Sequence, residues 1–417
     1  MFFEEIVEEI PMKKTRQLYL GIVLFFSFAC SLFSSIPIEP QPMTPEFAPQ
    51  EEAQALPVEE ISSTRLPVGV ATEKDGILFV FDPEGYTLQQ VNIPGISYAD
   101  EHSLHILSVF PQDNTGLPIL YYSFEQNSSL LISLNGQIST LLPVPEFSGM
   151  VGAPGKAVLA YTRVEYADEN LISHLYAGTI KNLPTAAPVY TENNAEGWGV
   201  VAIAVDVEAE KPVGVWYSKR PWGIGGDIVF DPRRTLSYID LRTGTNSQYL
   251  GADANPSAIS ADGKWLAYTD DQGAISIAGT MAIRNIDTGA GLSYPLQNTV
   301  DQRGAGEASF SPNNEYLAWM EGSGFQMAET PNFHSVVRVG NLNGNIIAEF
   351  ADTAFVATSG LGVVARVEPV GWFDDNTLVV MARGEAWYDA VLLLVDIPSQ
   401  NISFLAQGVF VGFVYPQ

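Results

Sequence analysis

The stretch Ser260–Asp270, SADGKWLAYTD, decides how this chain is read. Its first half is turn chemistry, since Asp and Gly tolerate tight and left-handed backbone. Its second half is a short apolar run ending in an aromatic residue, the composition of a buried strand. Outward along the chain the same unit recurs. SPNNEYLAWME at Ser311–Glu321 matches closely, and FDDNTLVVMA at Phe373–Ala382 is a third copy. Fainter copies are QDNTGLPILYYS (Gln112–Ser123), APGKAVLAYT (Ala153–Thr162), EAEKPVGVWYS (Glu208–Ser218) and RLPVGVAT (Arg65–Thr72). Anchored on the last strand residue, the copies fall at Thr72, Tyr122, Tyr161, Tyr217, Tyr268, Trp319 and Met381. Steps of 39 to 62 residues, averaging about 51, are long for three strands and suit four strands with their loops.

A second signature follows the copies: an apolar strand running into a tight turn. It reads YIDLRTG (Tyr238–Gly244), RNIDTG (Arg284–Gly289), VGNLNG (Val339–Gly344) and SLNGQ (Ser133–Gln137). FDPEG (Phe81–Gly85) and LVDIPSQN (Leu394–Asn401) occupy the same place. Gly and Asn here supply the positive φ that hairpin turns need. No long helical periodicity occurs from about residue 66 onward, so the expected class is all-β.

The S-x-D-G-K-x-L-A-Y strand followed by a D-x-x-T-G hairpin resembles the TolB-type, WD-like β-propeller repeat, over roughly residues 66–417. The resemblance implies a propeller of four-stranded antiparallel blades around a channel. Seven copies imply seven blades. The first copy lacks an innermost strand, and GVFVGFVYP at Gly408–Pro416 is a strand without a following hairpin. That strand is expected to complete the first blade and close the ring.

The N-terminal part reads differently. Met12 opens MKKTRQLYLGIVLFFSFAC, with a basic start (Lys13, Lys14, Arg16), an apolar core and then Ala29–Cys30. This resembles a bacterial lipoprotein signal, which implies lipidation of Cys30 and a true start at Met12. The alternative is an uncleaved anchor, because Gln17–Ile38 is a run of 22 uncharged residues. Either way residues 1–30 are an export signal or anchor. Residues 31–65 are a tether: Ile36–Glu60 carries six prolines, six glutamates and no basic residue, too little apolar surface to fold. The expected location is extracytoplasmic and membrane-tethered, in a bacterial periplasm or on the cell surface.

Charge narrows the partners. With 20 Lys+Arg against 48 Asp+Glu, the net charge of −28 argues against nucleic acid and against docking on anionic lipid through a basic patch. One cysteine excludes an intrachain disulfide framework and a cysteine-rich zinc site. Neither a G-x-S-x-G elbow nor a phosphate-cradling glycine loop occurs. His102 and His105 would point to opposite faces of a strand, and His174 and His334 are isolated. Asp270–Asp271 and Asp374–Asp375 lack calcium-loop spacing and read as turn residues. No catalytic residue, cofactor or metal is assigned, and a monomer is expected.

A binding face can still be placed. In a propeller, the loops after the second strands and the loops between blades share one mouth of the channel. The runs expected as those loops are Thr162–His174, Ser218–Arg234, Met320–Ser335 and Ala382–Ala390, with Thr191–Gly199 and Asn298–Glu307 between blades. They bring Arg163, Tyr166, Arg220, Trp222, Phe325, Arg383, Trp387 and Tyr388 forward as ligand-binding candidates, Arg and Trp being frequent anchors. The competing expectation for the arginines is internal pairing, with Glu165, Asp227 or Glu385 at hand. The function this supports is a binding or scaffold module for a protein or for a polysaccharide or peptide of the cell envelope. The alternative is an enzyme acting on carbohydrate, a glycoside hydrolase or lyase, at the channel mouth.

Overall fold

The computed structural model describes residues 66–92, 106–109, 119–123, 128–132, 138–142, 147–167, 170–222, 230, 232–270, 279–297, 303–323, 333–386 and 388–415. Cys30, the leader and the tether lie outside them, as do Asp271, His102 and His105. Among the described residues no helix is long and apolar enough to cross a membrane.

The chain lays down strands in sequence order. β1 (Gly69–Lys74), β2 (Ile77–Phe81) and β3 (Thr87–Asn92) open the first sheet, and β4 (Ile106–Val109), β5 (Ile119–Ser123), β6 (Ser128–Ile132) and β7 (Ile138–Leu142) form the second. The third holds β8 (Phe147–Gly152), β9 (Val158–Ala167), β10 (Asn170–Thr179) and β11 (Tyr190–Asn194). The fourth holds β12 (Trp198–Glu208), β13 (Lys211–Pro221), β14 (Arg234–Asp240) and β15 (Asn246–Leu250). β16 (Asn255–Ile259), β17 (Trp265–Thr269), β18 (Met281–Asn285) and β19 (Gly291–Ser293) make the fifth. β20 (Gly304–Phe310), β21 (Tyr316–Ser323), β22 (His334–Asn341) and β23 (Ile346–Ala351) make the sixth. Helix α1 (Asp352–Ser359) then leads to β24 (Arg366–Trp372), β25 (Thr377–Arg383), β26 (Ala390–Asp396) and β27 (Asn401–Gln407). The last strand, β28 (Val409–Val414), returns to the first sheet, which reads β28-β1-β2-β3. The described residues thus form seven four-stranded antiparallel sheets, consistent with seven blades of a β-propeller.

All seven anchor residues fall in second strands: Thr72 in β1, Tyr122 in β5, Tyr161 in β9, Tyr217 in β13, Tyr268 in β17, Trp319 in β21 and Met381 in β25. The turn before the strand has a definite chemistry. Ser260 Oγ donates to Asp262 Oδ1 at 2.6 Å and accepts Trp265 N–H at 2.8 Å. Ser311, Asn313 and Tyr316 repeat this at 2.8 and 3.0 Å. A serine with Asp or Asn two residues on therefore staples the turn and launches the strand five residues later. In the seventh sheet Asp374 alone does this, accepting the N–H groups of Asn376 and Thr377 at 2.8 Å each. Asp374 is a turn residue, as expected. At the other end of the third strands, Gly244 and Gly344 sit at φ +74° and +86°, which only glycine adopts without strain.

The inner strands share a device that the sequence conceals. Each carries one extra residue relative to its neighbour: Leu107, Gly149, Ile203, Ser257, Val370 and Val411 each stand alone in the bulge, and Glu307 with Ala308 opposes Trp319. Seven equivalent bulges tighten the twist of every inner strand at one level of the ring.

Sheets pack face to face through apolar seams. Trp319, Tyr294, Leu317, Ile283 and Ala305 fill the seam between the fifth and sixth sheets, all nearly inaccessible. Closure joins the seventh sheet to the first: Met381, Leu392 and Leu405 pack with Val70, Phe410 and Phe413. β28 runs antiparallel to β1 from Gly69↔Val414 to Glu73↔Val409, so the C-terminal strand completes the first blade as its innermost strand. Backbone donors are also satisfied across seams. Ser173 Oγ accepts Val200 N–H at 3.0 Å, and Ser335 Oγ accepts Val367 N–H at 2.7 Å, both serines fully buried.

The helix α1 was not anticipated. It is a single short segment, ADTAFVATSG, closed by Gly360 at φ +72°. Phe355 and Val356 pack into the seam between the sixth and seventh sheets.

Candidate functional site

Several runs expected to be loops after the second strands are largely strand. Thr162–His174 is a hairpin, with β9 and β10 paired from Val158↔Thr179 to Ala167↔Asn170. Ser218–Pro221 continues β13, Met320–Ser323 continues β21 and Ala382–Arg383 ends β25. Between blades, Thr191–Asn194 belongs to β11, Trp198 and Gly199 to β12, and Gly304–Glu307 to β20. The polar residues in these runs had suggested loops. In the β9–β10 hairpin polar residues are accommodated on an exposed face, whereas at the ends of β21 and β25 Glu321 and Arg383 are buried and paired with opposite charges.

Arg163, Tyr166, Arg220 and Arg383 are therefore held in strands, and Trp222 and Tyr388 lie just beyond strand ends. Arg163 lies in β9 opposite His174 and is half-buried, and Tyr166 in the same strand is 61% exposed. Arg220 stands in β13 opposite Gly199. Trp222 follows, its N–H donating to the Gly197 carbonyl at 2.8 Å and its ring lying over Gly199. Tyr388 is 53% exposed beside the end of β25. By sheet equivalence Arg163, Arg220 and Arg383 share one end of the propeller, on the third, fourth and seventh sheets. Phe325 and Trp387 lie outside the described residues.

Arg383 is not available in the way its neighbours are. It is buried, and its Nη2 donates to Glu368 at 3.1 Å. Arg366 Nη2 reaches the other carboxylate oxygen at 2.7 Å. The register explains the cluster. Arg366 and Arg383 are direct cross-strand partners, a repulsive placement, and Glu368 is two residues along on the same face as Arg366. Burial pushes the Glu368 carboxyl up, but the two guanidinium groups outweigh it and hold the carboxyl below its ordinary range. The internal partner of Arg383 is thus Glu368, not Glu385. Glu165 bonds instead to His174, Nε2···Oε1 3.3 Å, while His174 Nδ1 meets Thr191 Oγ1 at 2.9 Å. Asp227 lies outside the described residues.

The sixth sheet repeats the theme. Glu321, at the end of β21, receives Arg303 Nη1 at 3.0 Å, Arg338 Nη1 and the Gln297 N–H at 3.0 Å. All three ionised side chains are within 5% of full burial. In the fourth sheet Arg234 lies over the Trp198 ring, 4.2 Å from its centre. Among the described residues no three His, Cys, Asp or Glu side chains gather to hold a metal.

A cleft opens on the same end, between the starts of β14, β16 and β20. Phe230, Arg233, Asn255, Ser257, Thr269 and Glu307 line it, around about 320 Å³ of open space. Phe230, Arg233 and Glu307 belong to runs singled out in the sequence, but nothing local distinguished them. They meet because the segment before β14 and the starts of β16 and β20 are neighbours at this end.

No protein-family model matches the chain, and no curated protein matches it. Solved structures similar to it include an oligogalacturonate lyase from Vibrio parahaemolyticus, at 14% identity and TM-score 0.44, covering 73% of this chain and 77% of that one. A putative TolB from Agrobacterium tumefaciens matches at 14% identity and TM-score 0.35, covering 66% and 88%. A GH74 xyloglucanase from Xanthomonas campestris matches at 14% and TM-score 0.43, covering 83% and 56%. These likenesses concern the fold; the chemistry has to come from the residues of this chain.

Proposed function

We propose that this chain is an exported, membrane-tethered β-propeller that binds a protein or a cell-envelope ligand at the channel end where its second strands finish. One observation carries the reading: the buried carboxylates at that end, Glu321 and Glu368, are each engaged by two arginines. Glu368, held below its ordinary range by its two guanidinium neighbours, is a poor general acid and a weak base, and two arginines occupy the oxygens of Glu321. What remains accessible there is aromatic, Tyr166 exposed on β9, Tyr388 exposed beyond the end of β25 and Trp222 half-buried just after β13, which suits recognition. The tether supports the same reading, because a Pro/Glu-rich segment after an export signal holds a globular domain away from a membrane.

The full chain, purified and immobilised, should retain envelope polysaccharide or envelope protein from the producing cell, and Trp222→Ala should weaken that retention without altering thermal unfolding. Cleavage of envelope polysaccharide by the purified protein, abolished by substitution of a carboxylate at the mouth, would replace this reading with an enzyme.

A further inference from the structure

Six of the seven ladders between second and third strands run without a break; the exception is β13 with β14, in the fourth sheet. Tyr217 pairs with Ser237 and Lys219 with Arg234, so Thr235 and Leu236 both oppose Ser218. The extra residue is strained. Thr235 sits at φ +63°, a left-handed conformation that a β-branched side chain adopts with difficulty, and its hydroxyl is buried without a partner. The buried Ser218 hydroxyl holds the bulge, shared between the carbonyls of Arg234 at 3.0 Å and Thr235 at 2.9 Å.

The register shows what the slip achieves. Trp198 on β12 opposes Pro221, and Lys219 opposes Arg234, so Trp198, Lys219 and Arg234 stand on one face of the sheet. Without the extra residue Thr235 would oppose Lys219, and Arg234 would turn to the other face, away from Trp198. The bulge thus lays the Arg234 guanidinium over the Trp198 ring, 4.2 Å from its centre. Arg234 is half-buried, its Nε is shut off from solvent without an acceptor, and no carboxylate among the described residues pairs with it. Acids are not in short supply, with 48 against 20 basic residues. The arginines that brace the sheets have theirs: Arg303 and Arg338 share Glu321, and Arg366 and Arg383 share Glu368. Nor does Glu192 serve, since one of its oxygens takes Lys219 and the other accepts the Tyr190 hydroxyl at 3.2 Å.

We propose that Arg234, laid on Trp198, is the recognition point for a carboxylate on the partner, an exposed Asp or Glu of a protein segment. Stacking fixes the plane of the guanidinium, and its edge takes two carboxylate oxygens through parallel N–H bonds. The Trp222 ring, over Gly199, extends an apolar surface beside it for the rest of the segment. A polyanion with a carboxylate on every unit is disfavoured, because a chain of net charge −28 repels it as a whole. A single acidic side chain in a segment of low charge meets the local cation without that repulsion.

This anchor presupposes that this end of the propeller is a binding face, and the two can fail separately. The test follows the arginine Nε–H and tryptophan indole N–H signals of the full chain by NMR. Those of Arg234 and Trp198 are assigned by their loss in Arg234→Gln and Trp198→Phe. Acetyl-aspartate amide is the probe and acetyl-asparagine amide its neutral match. The aspartate probe should shift both signals saturably, and the asparagine probe should not at the same concentration. Arg234→Gln, with Tm little changed, should weaken the aspartate probe about tenfold or more, read on the Trp198 signal. Arg234→Lys keeps the charge but loses the planar fork, and should weaken it too. Absence of a saturable shift, an equal response to asparagine, or undiminished binding in both folded variants overturns the site. Tighter binding of methyl phosphate, or of the methyl glycoside of galacturonic acid, would overturn the assignment to a protein segment. Envelope material retained equally by Arg234→Gln and the parent chain would leave the broader binding function standing with its anchor elsewhere. Saturable aspartate binding by a chain that retains no envelope material would do the reverse.

Discussion

Arg383 on β25 and Glu368 on β24 pair diagonally, two residues off direct opposition, with 3.1 Å between nitrogen and oxygen and both buried. An arginine at the end of a second strand is therefore part of the frame here. Arg383→Ala should destabilise the domain by about 3 kcal/mol, the low end for breaking a buried pair because Arg366 stays on the carboxylate. Chemical denaturation gives the value, and a cost near zero would mean that the pair is solvated and that Arg383 is free to bind.

Glu73 and Glu368 should give opposite pH slopes. Burial raises the Glu73 carboxyl; the Gly76 N–H lowers it in part, and Asp75 adds to the rise. Its contribution to stability is full below about pH 4.5, the ordinary value, and is lost as pH climbs through the raised one. Glu368 is held low, so its contribution is full above about 4.5 and is lost as pH falls through the depressed value. Glu73→Gln should raise Tm at neutral pH and do nothing in mild acid. Glu368→Gln should lower Tm at neutral pH, with the loss shrinking in strong acid. Thermal unfolding across pH checks both signs.

The serine pegs should behave as independent rivets. Ser173→Ala and Ser335→Ala each leave a buried backbone N–H without its acceptor, costing about 1–3 kcal/mol. They lie on different seams, so the double variant should show the sum. Coupling between them would indicate that strain travels around the ring.

Closure by the last strand is open to a direct test. Phe413 packs edge-on against Phe373 and Phe410 and lies over Gly371. Phe413→Ala should cost about 2–3 kcal/mol, less than a fully buried Phe because the ring is partly exposed. Deleting residues 408–417 should abolish cooperative unfolding, since β1 then becomes an open edge. An unchanged melting curve after the deletion would show that the seventh and first sheets hold together without β28.

For the membrane tether, metabolic labelling with a radioactive fatty acid should mark the wild-type chain and not Cys30→Ala. An unlabelled wild-type chain would favour the plain anchor over lipidation.

Short-range chemistry was legible in the residues alone. Turn staples such as Ser260 with Asp262, the apolar run after them and the glycine two strands later are local, and a strand's alternation is written in the chain itself. That placed all seven anchors in second strands and assigned Val409–Val414 to the first sheet. Tertiary structure decided the rest. Whether Arg163 belongs to a loop or to a ten-residue strand depends on its partner β10, and polar composition misled because one face of that hairpin is wet. The partner of Arg383 could not be chosen from sequence, because it follows from register: Glu368 is 15 residues away but on the same face, whereas Glu385 is two residues away beyond the strand end. The cleft is the furthest from the sequence. Phe230 precedes β14 while Asn255 and Glu307 lie on β16 and β20, so only the packing of three neighbouring sheets brings them to one space.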